Sequence, residues 1–171
     1  MIAKAPFVAA GTQQVPIHYL AMRGAKGATD AIVPVSSSDS LTYSLCGLGQ
    51  SCAIATGKPS VARGLLVRRE ILELALYTFK YVGGINHVIA FMPPAIGNPP
   101  QYAIYLQKSD LSTQLKVPLV RTLSAKVPAA AAISAGEQQT IDGLLSPRTF
   151  KFSLAQGPQG DAILVLAPFA A

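Results

Sequence analysis

The sequence predicts an α+β fold, with residues 1–171 in one domain built on a mostly antiparallel sheet. A long central helix over 60–82, a fully apolar strand directly after it and a C-terminal β-hairpin support this prediction. Around the helix the element order is helix, strand, loop, strand, which differs from a repeating βαβ pattern. At 171 residues the chain is long enough for one hydrophobic core.

Short strands are predicted in the first third of the chain, where apolar runs alternate with segments rich in glycine and serine. The predicted strands are Val15 to Met22, Ala31 to Val35 and Leu41 to Leu45. The segments 23–30 and 36–40 are predicted to be the turns that separate them.

Two cysteines, Cys46 and Cys52, bracket a segment that contains two glycines, and they are close enough to form a small disulfide loop. Reduced structural cysteines are the alternative. A reactive thiol would need His18 or His87 brought close by the fold. No metal site is predicted, because neither a matching CxxC motif nor a histidine pair is nearby.

The central helix has clear signals at both ends. Ser60 is a favourable N-cap residue, and Gly83-Gly84 provides the left-handed conformation that often ends a helix. Arg69 and Glu73 lie four residues apart in a narrow polar stripe, so they can form an ion pair. The rest of the circumference is apolar, which predicts cover from the sheet, other elements or a partner subunit.

Arg68 lies opposite the polar stripe, among apolar positions of the same helix. Its aliphatic stem could pack while its guanidinium group reaches solvent. Alternatively, the guanidinium group is buried and pairs with a carboxylate, or it points at an anionic ligand. Asp110 is the preferred partner, ahead of Asp30 and Asp39.

Two strands are predicted after the helix, with a rigid loop between them. Residues 87–92 do not alternate, so both faces of that strand should be buried. Residues 101–107 alternate and should form the second strand. The loop over 93–100 is predicted to be a protein-contact surface, with a plain connector as the alternative. Its prolines are Pro93, Pro94, Pro99 and Pro100.

A shorter second helix is predicted from Ser134 to about Leu145, because Ser134 and Glu137 match the capping box. The alanine-rich segment 124–134 is predicted to be a connector. The C-terminal β-hairpin is predicted because two strand-like segments, 148–155 and 161–167, flank a turn-rich loop with glycine and glutamine.

Charged residues make up 13% of the chain, about half the usual share. This favours either a secreted or cell-surface domain or, preferably, a subunit whose surface is largely buried in an assembly. The net charge of +6 is compatible with nucleic-acid binding, and Arg63, Arg68 and Arg69 form the densest basic group. However, aromatic residues are not interleaved with the basic ones, as a base-stacking surface would require.

The compartment is left open by the sequence. The sequence contains no run of about 20 apolar residues, so no transmembrane segment is predicted. The apolar run at the N-terminus is too short for a signal peptide. We expect a protein that stays inside the cell, or an extracytoplasmic one if a leader precedes this chain.

Residues 68–111, and especially 73–82 followed by 91–94, resemble an uncharacterised actinobacterial protein family. The resemblance is confined to that stretch and carries no catalytic motif, so it implies neither an activity nor functional residues. Some members of that family are anchored in a membrane with an external domain, whereas the N-terminus here shows no anchor.

These observations predict a non-enzymatic structural or interaction protein that self-associates or joins a larger assembly, without a cofactor. One alternative is a basic module that binds an anionic ligand or nucleic acid through Arg63, Arg68 and Arg69. The second alternative is a small hydrolase with a cysteine or serine nucleophile, which would need His87 beside that nucleophile in a cleft.

Overall fold

The computed structural model describes residues 7–10, 13–23, 32–35, 37–45, 60–93, 101–156 and 162–168. The strands are β1 (Phe7–Ala10), β2 (Gln13–Arg23), β3 (Ile32–Val35), β4 (Ser40–Ser44), β5 (His87–Phe91), β6 (Tyr102–Gln107), β7 (Thr149–Gln156) and β8 (Ala162–Pro168). The α-helices are α1 (Val61–Tyr81), α2 (Ser112–Leu115) and α3 (Ala135–Leu145). Short 3₁₀ turns occupy Lys108–Leu111, Leu119–Arg121, Ala130–Ala132 and Ser146–Arg148.

The described strands form one curled sheet in the order β1-β2-β8-β7-β6-β5-β4. Strand β3 also pairs with β2, at a different part of β2 from the part that pairs with β1. Strand β1 lies outside the strands that the sequence predicted. It pairs with β2 in antiparallel register from Phe7 opposite Pro16 to Ala10 opposite Gln13.

The predicted α+β class is confirmed, but the prediction of a mostly antiparallel sheet was wrong, because the sheet is mixed. Strands β4 and β5 run parallel, as do β2 and β8. Parallel neighbours need a crossover connection, and α1 lies in the connection between β4 and β5. The direction of pairing depends on contacts between distant segments, which a local sequence pattern does not encode.

The C-terminal strands pair as the sequence predicted. Strands β7 and β8 are antiparallel, from Phe150 opposite Pro168 to Gln156 opposite Ala162. The loop that would complete the hairpin lies outside the described residues.

The bounds of α1 agree with the prediction. The backbone N–H of Arg63 donates to Oγ of Ser60 over 3.2 Å, so Ser60 caps the helix. After Tyr81 the chain leaves the helix, and Gly84 has φ of 78°, in the left-handed region that glycine adopts without a Cβ penalty.

Buried apolar side chains cover both faces of the central strands. On one face, Leu72 and Phe79 of α1 share a hydrophobic cluster with Ile104 of β6. On the other face, Phe91 of β5 lies in a second cluster with Leu164 of β8. Residues 88–91 are all buried, so the prediction of a strand covered on both faces is confirmed.

Helix α3 is also confirmed, with Oγ of Ser134 accepting from the backbone N–H of Glu137 over 3.2 Å. The preceding segment 124–134, predicted to be a connector, contacts α1 through the turn Ala130–Ala132. Ile133 packs against the cluster between α1 and the sheet. Among the described residues, no helix combines the length and apolarity needed to cross a membrane.

Candidate functional site

Arg69 is buried where α1, α3 and the segment that precedes α3 meet. Its side chain is 1% exposed, and its guanidinium group donates three hydrogen bonds. Nε donates to Oε1 of Glu137 over 2.6 Å, Nη1 to Oε2 of Glu73 over 2.7 Å, and Nη2 to the carbonyl oxygen of Ser124 over 2.7 Å. The predicted pair of Arg69 and Glu73 is therefore confirmed. Hydrogen bonds with an ionised donor or acceptor are stronger than those between neutral groups.

A capping box has two hydrogen bonds, and in α3 the side chain of Ser134 makes its bond to the backbone of Glu137 whereas the side chain of Glu137 does not make the reciprocal one. The carboxylate of Glu137, which is 10% exposed, accepts instead from Arg69 and from the hydroxyl of Ser124 over 3.2 Å. This carboxylate therefore connects the start of α3 to α1 and to Ser124, the first residue of the segment 124–134.

The preferred pairing of Arg68 with Asp110 was wrong. Nη1 of Arg68 lies 2.6 Å from Oδ1 of Asp142, and Nη2 donates to Oγ of Ser146 over 2.9 Å. Asp110 instead accepts from Nη2 of Arg148 over 3.0 Å. The reason is the packing of α3 along α1, which brings Asp142 to the side of α1 where Arg68 lies.

These contacts weaken the alternative in which an arginine group binds an anion. Arg68 and Arg69 each have a carboxylate partner, so their charges are already balanced locally. Arg63 lies in the first turn of α1 and is partly exposed.

Several predicted sites lie outside the described residues. They are Cys46, Cys52, Pro94, Pro99 and Pro100. Pro93 is described and is partly buried after β5. The disulfide and the contact role of the proline loop therefore stay predictions.

A groove of about 460 Å³ runs along α1, with Val127 as its lining residue from outside the helix. It is lined by Leu66, Arg69, Glu70, Glu73, Leu74, Tyr77 and Val127. A hollow of about 120 Å³ adjoins it and shares Glu73 and Tyr77. Leu119, Val120 and Leu123 also line this hollow. The groove has apolar walls and carboxylates at its rim, so it can receive an apolar group that carries a hydrogen-bond donor.

Large apolar side chains are exposed beside this groove. Tyr81 is 67% exposed and Val120 is 59% exposed, and the rings of Tyr77 and Tyr81 have centroids 5.7 Å apart. We call this set the α1 surface, and it comprises Leu74, Tyr77, Tyr81, Val117, Val120 and Val127. Exposed apolar side chains grouped beside a groove are typical of an interaction site.

A second polar cluster joins β5 and β6. The hydroxyl of Tyr105 lies 2.8 Å from Nδ1 of His87, and the two rings are stacked with centroids 5.7 Å apart. Nε2 of His87 lies 3.6 Å from Oδ2 of Asp39, which also accepts from Nδ2 of Asn86 over 2.9 Å.

This cluster does not supply the nucleophile that the hydrolase alternative requires. Among the described side chains, the hydroxyl group in hydrogen-bond reach of His87 is the phenol of Tyr105, and burial raises the pKa of Tyr105 to about 12. A phenol with that pKa stays protonated near neutral pH and is a poor nucleophile. Within the part of the chain that the structure describes, no group of three or more metal-ligating side chains is placed to hold a metal ion.

The raised pKa of Tyr105 predicts a loss of stability in alkaline solution. Between pH 10 and about 12, the folded chain keeps a proton on Tyr105 that the unfolded chain has lost. The unfolded state then binds fewer protons than the folded state, so the free energy of unfolding falls as the pH rises. Urea denaturation across this window should show a shallower decline for Tyr105→Phe than for the wild type. Equal slopes would contradict the assignment.

Comparisons with protein-family models, with curated proteins and with solved structures found no match to this chain. The resemblance to actinobacterial proteins stays a prediction.

Proposed function

We propose that this chain is a non-enzymatic subunit that self-associates through the α1 surface. The observation that carries this proposal is the row of exposed apolar side chains beside a groove on the same face. Tyr81 protrudes at the C-terminal end of α1, and the groove runs along the middle of the helix, from Leu66 to Tyr77. A protrusion and a matching concavity on one surface favour contact with a second copy, because a two-fold contact uses the same patch on both subunits.

The chemistry of the α1 surface supports a protein interface. Tyrosine is enriched at the cores of interfaces, where its ring buries a large area and its hydroxyl finds a partner. Charged residues make up only 13% of the sequence. A surface with few charges is more easily desolvated in an interface than a highly charged one.

The polar clusters support a structural role for their side chains. The arginines at 68, 69 and 148 pair with carboxylates that link α1, α3 and the turn after β6. The pair of His87 and Tyr105 links neighbouring strands. These contacts stabilise the tertiary structure and occupy groups that acid–base chemistry would otherwise use.

Light scattering of the purified chain over a range of concentrations tests this proposal. We expect a mass above that of one chain for the wild type, and a shift toward one chain for Tyr77→Ser/Tyr81→Ser. Tyr19→Ser is the matched control, because Tyr19 is an equally exposed tyrosine on β2, outside the α1 surface. A wild type that stays a single chain at every concentration would overturn the proposal, as would an equal effect of the control.

A further inference from the structure

We infer that two copies pair their α1 helices antiparallel, so that Tyr81 of each copy enters the groove of the other beside Glu70. This inference rests on the proposed self-association and adds the geometry of the contact. It places the two-fold axis level with the midpoint between Ala75 and Leu76, in the C-terminal half of α1.

The spacing along α1 supports this axis. Glu70 and Tyr81 lie equally far from the midpoint between residues 75 and 76, on opposite sides. Leu74 and Tyr77 are also symmetric about this midpoint. In an antiparallel pair centred there, each residue therefore lies level with its counterpart on the second copy.

The angular positions around α1 agree with the spacing. At about 100° per residue, Glu70 and Tyr81 lie within roughly 20° of each other on the helix circumference. Two residues at the same height along the paired helix axes, and on the same side of the two-fold contact, can meet across it. The exposed carboxylate of Glu70 can therefore accept a hydrogen bond from the hydroxyl of Tyr81 in the second copy.

The groove provides the space that this contact needs. Its volume of about 460 Å³ is bounded by Leu66, Leu74 and Val127, which would surround the tyrosine ring. Glu70 is also in its lining, so the hydroxyl group would meet a charged acceptor inside an otherwise apolar hollow.

A pair of opposite charges fits the same arrangement. Glu73 and Lys80 lie close to symmetric positions about the axis, and roughly 20° apart around the helix. Lys80 is exposed and donates one hydrogen bond to the carbonyl oxygen of Val117 over 3.0 Å, which leaves two of its three N–H groups for a carboxylate. These two residues would make the face of α1 beside the groove complementary to itself in charge.

Disulfide trapping under mild oxidation tests the geometry, in a background with Cys46→Ser and Cys52→Ser. Glu70→Cys and Tyr81→Cys chains are oxidised separately and as an equal mixture, then compared on a non-reducing gel. Positions 70 and 81 meet across the contact, so the mixture should give a covalent dimer. In each separate sample the two equivalent sulfur atoms would be roughly 16 Å apart along the axis, too far for a disulfide.

The outcomes separate this inference from the proposed function. A chain that is multimeric by light scattering but gives no covalent dimer in the mixture would overturn the antiparallel contact and leave self-association standing. Covalent dimers from Glu70→Cys alone would indicate either parallel helices or an antiparallel pair centred on residue 70, and either arrangement would also overturn it. A chain that never self-associates would overturn both.

A double-mutant cycle in the wild-type background keeps the test independent of the cysteine variants. Glu70→Gln and Tyr81→Phe preserve the shapes of the side chains and remove the charged hydrogen bond. Each should weaken dimerisation by about tenfold or more, and the double variant should be no weaker than the worse single variant. Fully additive losses would show that the two side chains do not meet.

Discussion

Replacing Arg69 with methionine should lower the free energy of unfolding by about 3 to 5 kcal/mol, the usual cost of removing one partner from a buried ion pair. The side chain is 1% exposed, and its loss would leave the carboxylate of Glu137, itself 10% exposed, without its cation. The carbonyl oxygen of Ser124 would also lose its donor. Urea denaturation followed by circular dichroism would measure the change.

The adjacent arginine is the matched control. Arg68→Met removes an ion pair whose side chains are 21% and 41% exposed, so we expect a loss below about 1 kcal/mol. If Arg69→Met is strongly destabilising because it leaves a buried charge unpaired, adding Glu137→Gln should recover part of the loss. Equal effects of Arg68→Met and Arg69→Met would contradict the burial of Arg69.

Replacing Leu72 with alanine should lower the free energy of unfolding by about 2 to 5 kcal/mol, through lost apolar burial and the cavity that remains. Leu72 is fully buried between α1 and the sheet, in a cluster with Val88 and Ile104. Thermal unfolding at a concentration where the protein is a single chain would isolate this effect from any self-association.

Leu74→Ala is the control for this prediction, on the same helix and with the same change of side chain. Leu74 is only partly buried and lines the groove, so its loss should cost less than half as much stability. Under the proposed function, Leu74→Ala should instead weaken self-association, which Leu72→Ala should not do once the chain is folded. Equal losses of stability would contradict the assignment of Leu72 to the buried face of α1 and of Leu74 to the groove.

Local signals in the sequence were sufficient for the elements around the core. The bounds of α1 follow from the N-cap Ser60 and the pair Gly83-Gly84, because both act on the backbone within one turn. The non-alternating pattern of β5 correctly indicated burial on both faces, and Ser134 correctly marked the start of α3.

Only part of the candidate site could be predicted from the sequence. The spacing of Arg69 and Glu73 predicted their ion pair, since both lie on one helix. A signal for the third member existed in Glu137, but its match to the capping box pointed to the backbone of α3 instead. The groove was not predicted, because it depends on Val127, which is distant in sequence from the other lining residues on α1.

By itself, the sequence determined α1, α3 and the strands from β2 to β8, and which faces of α1 and β5 are apolar. These properties depend on backbone preference and periodicity over a few residues. Only the tertiary structure decided that β4 and β5 run parallel, that Arg68 pairs with Asp142 rather than Asp110, and that an arginine in a polar stripe is buried. Those outcomes depend on contacts between residues far apart in the chain, and their free energies are set by which segments cover each other.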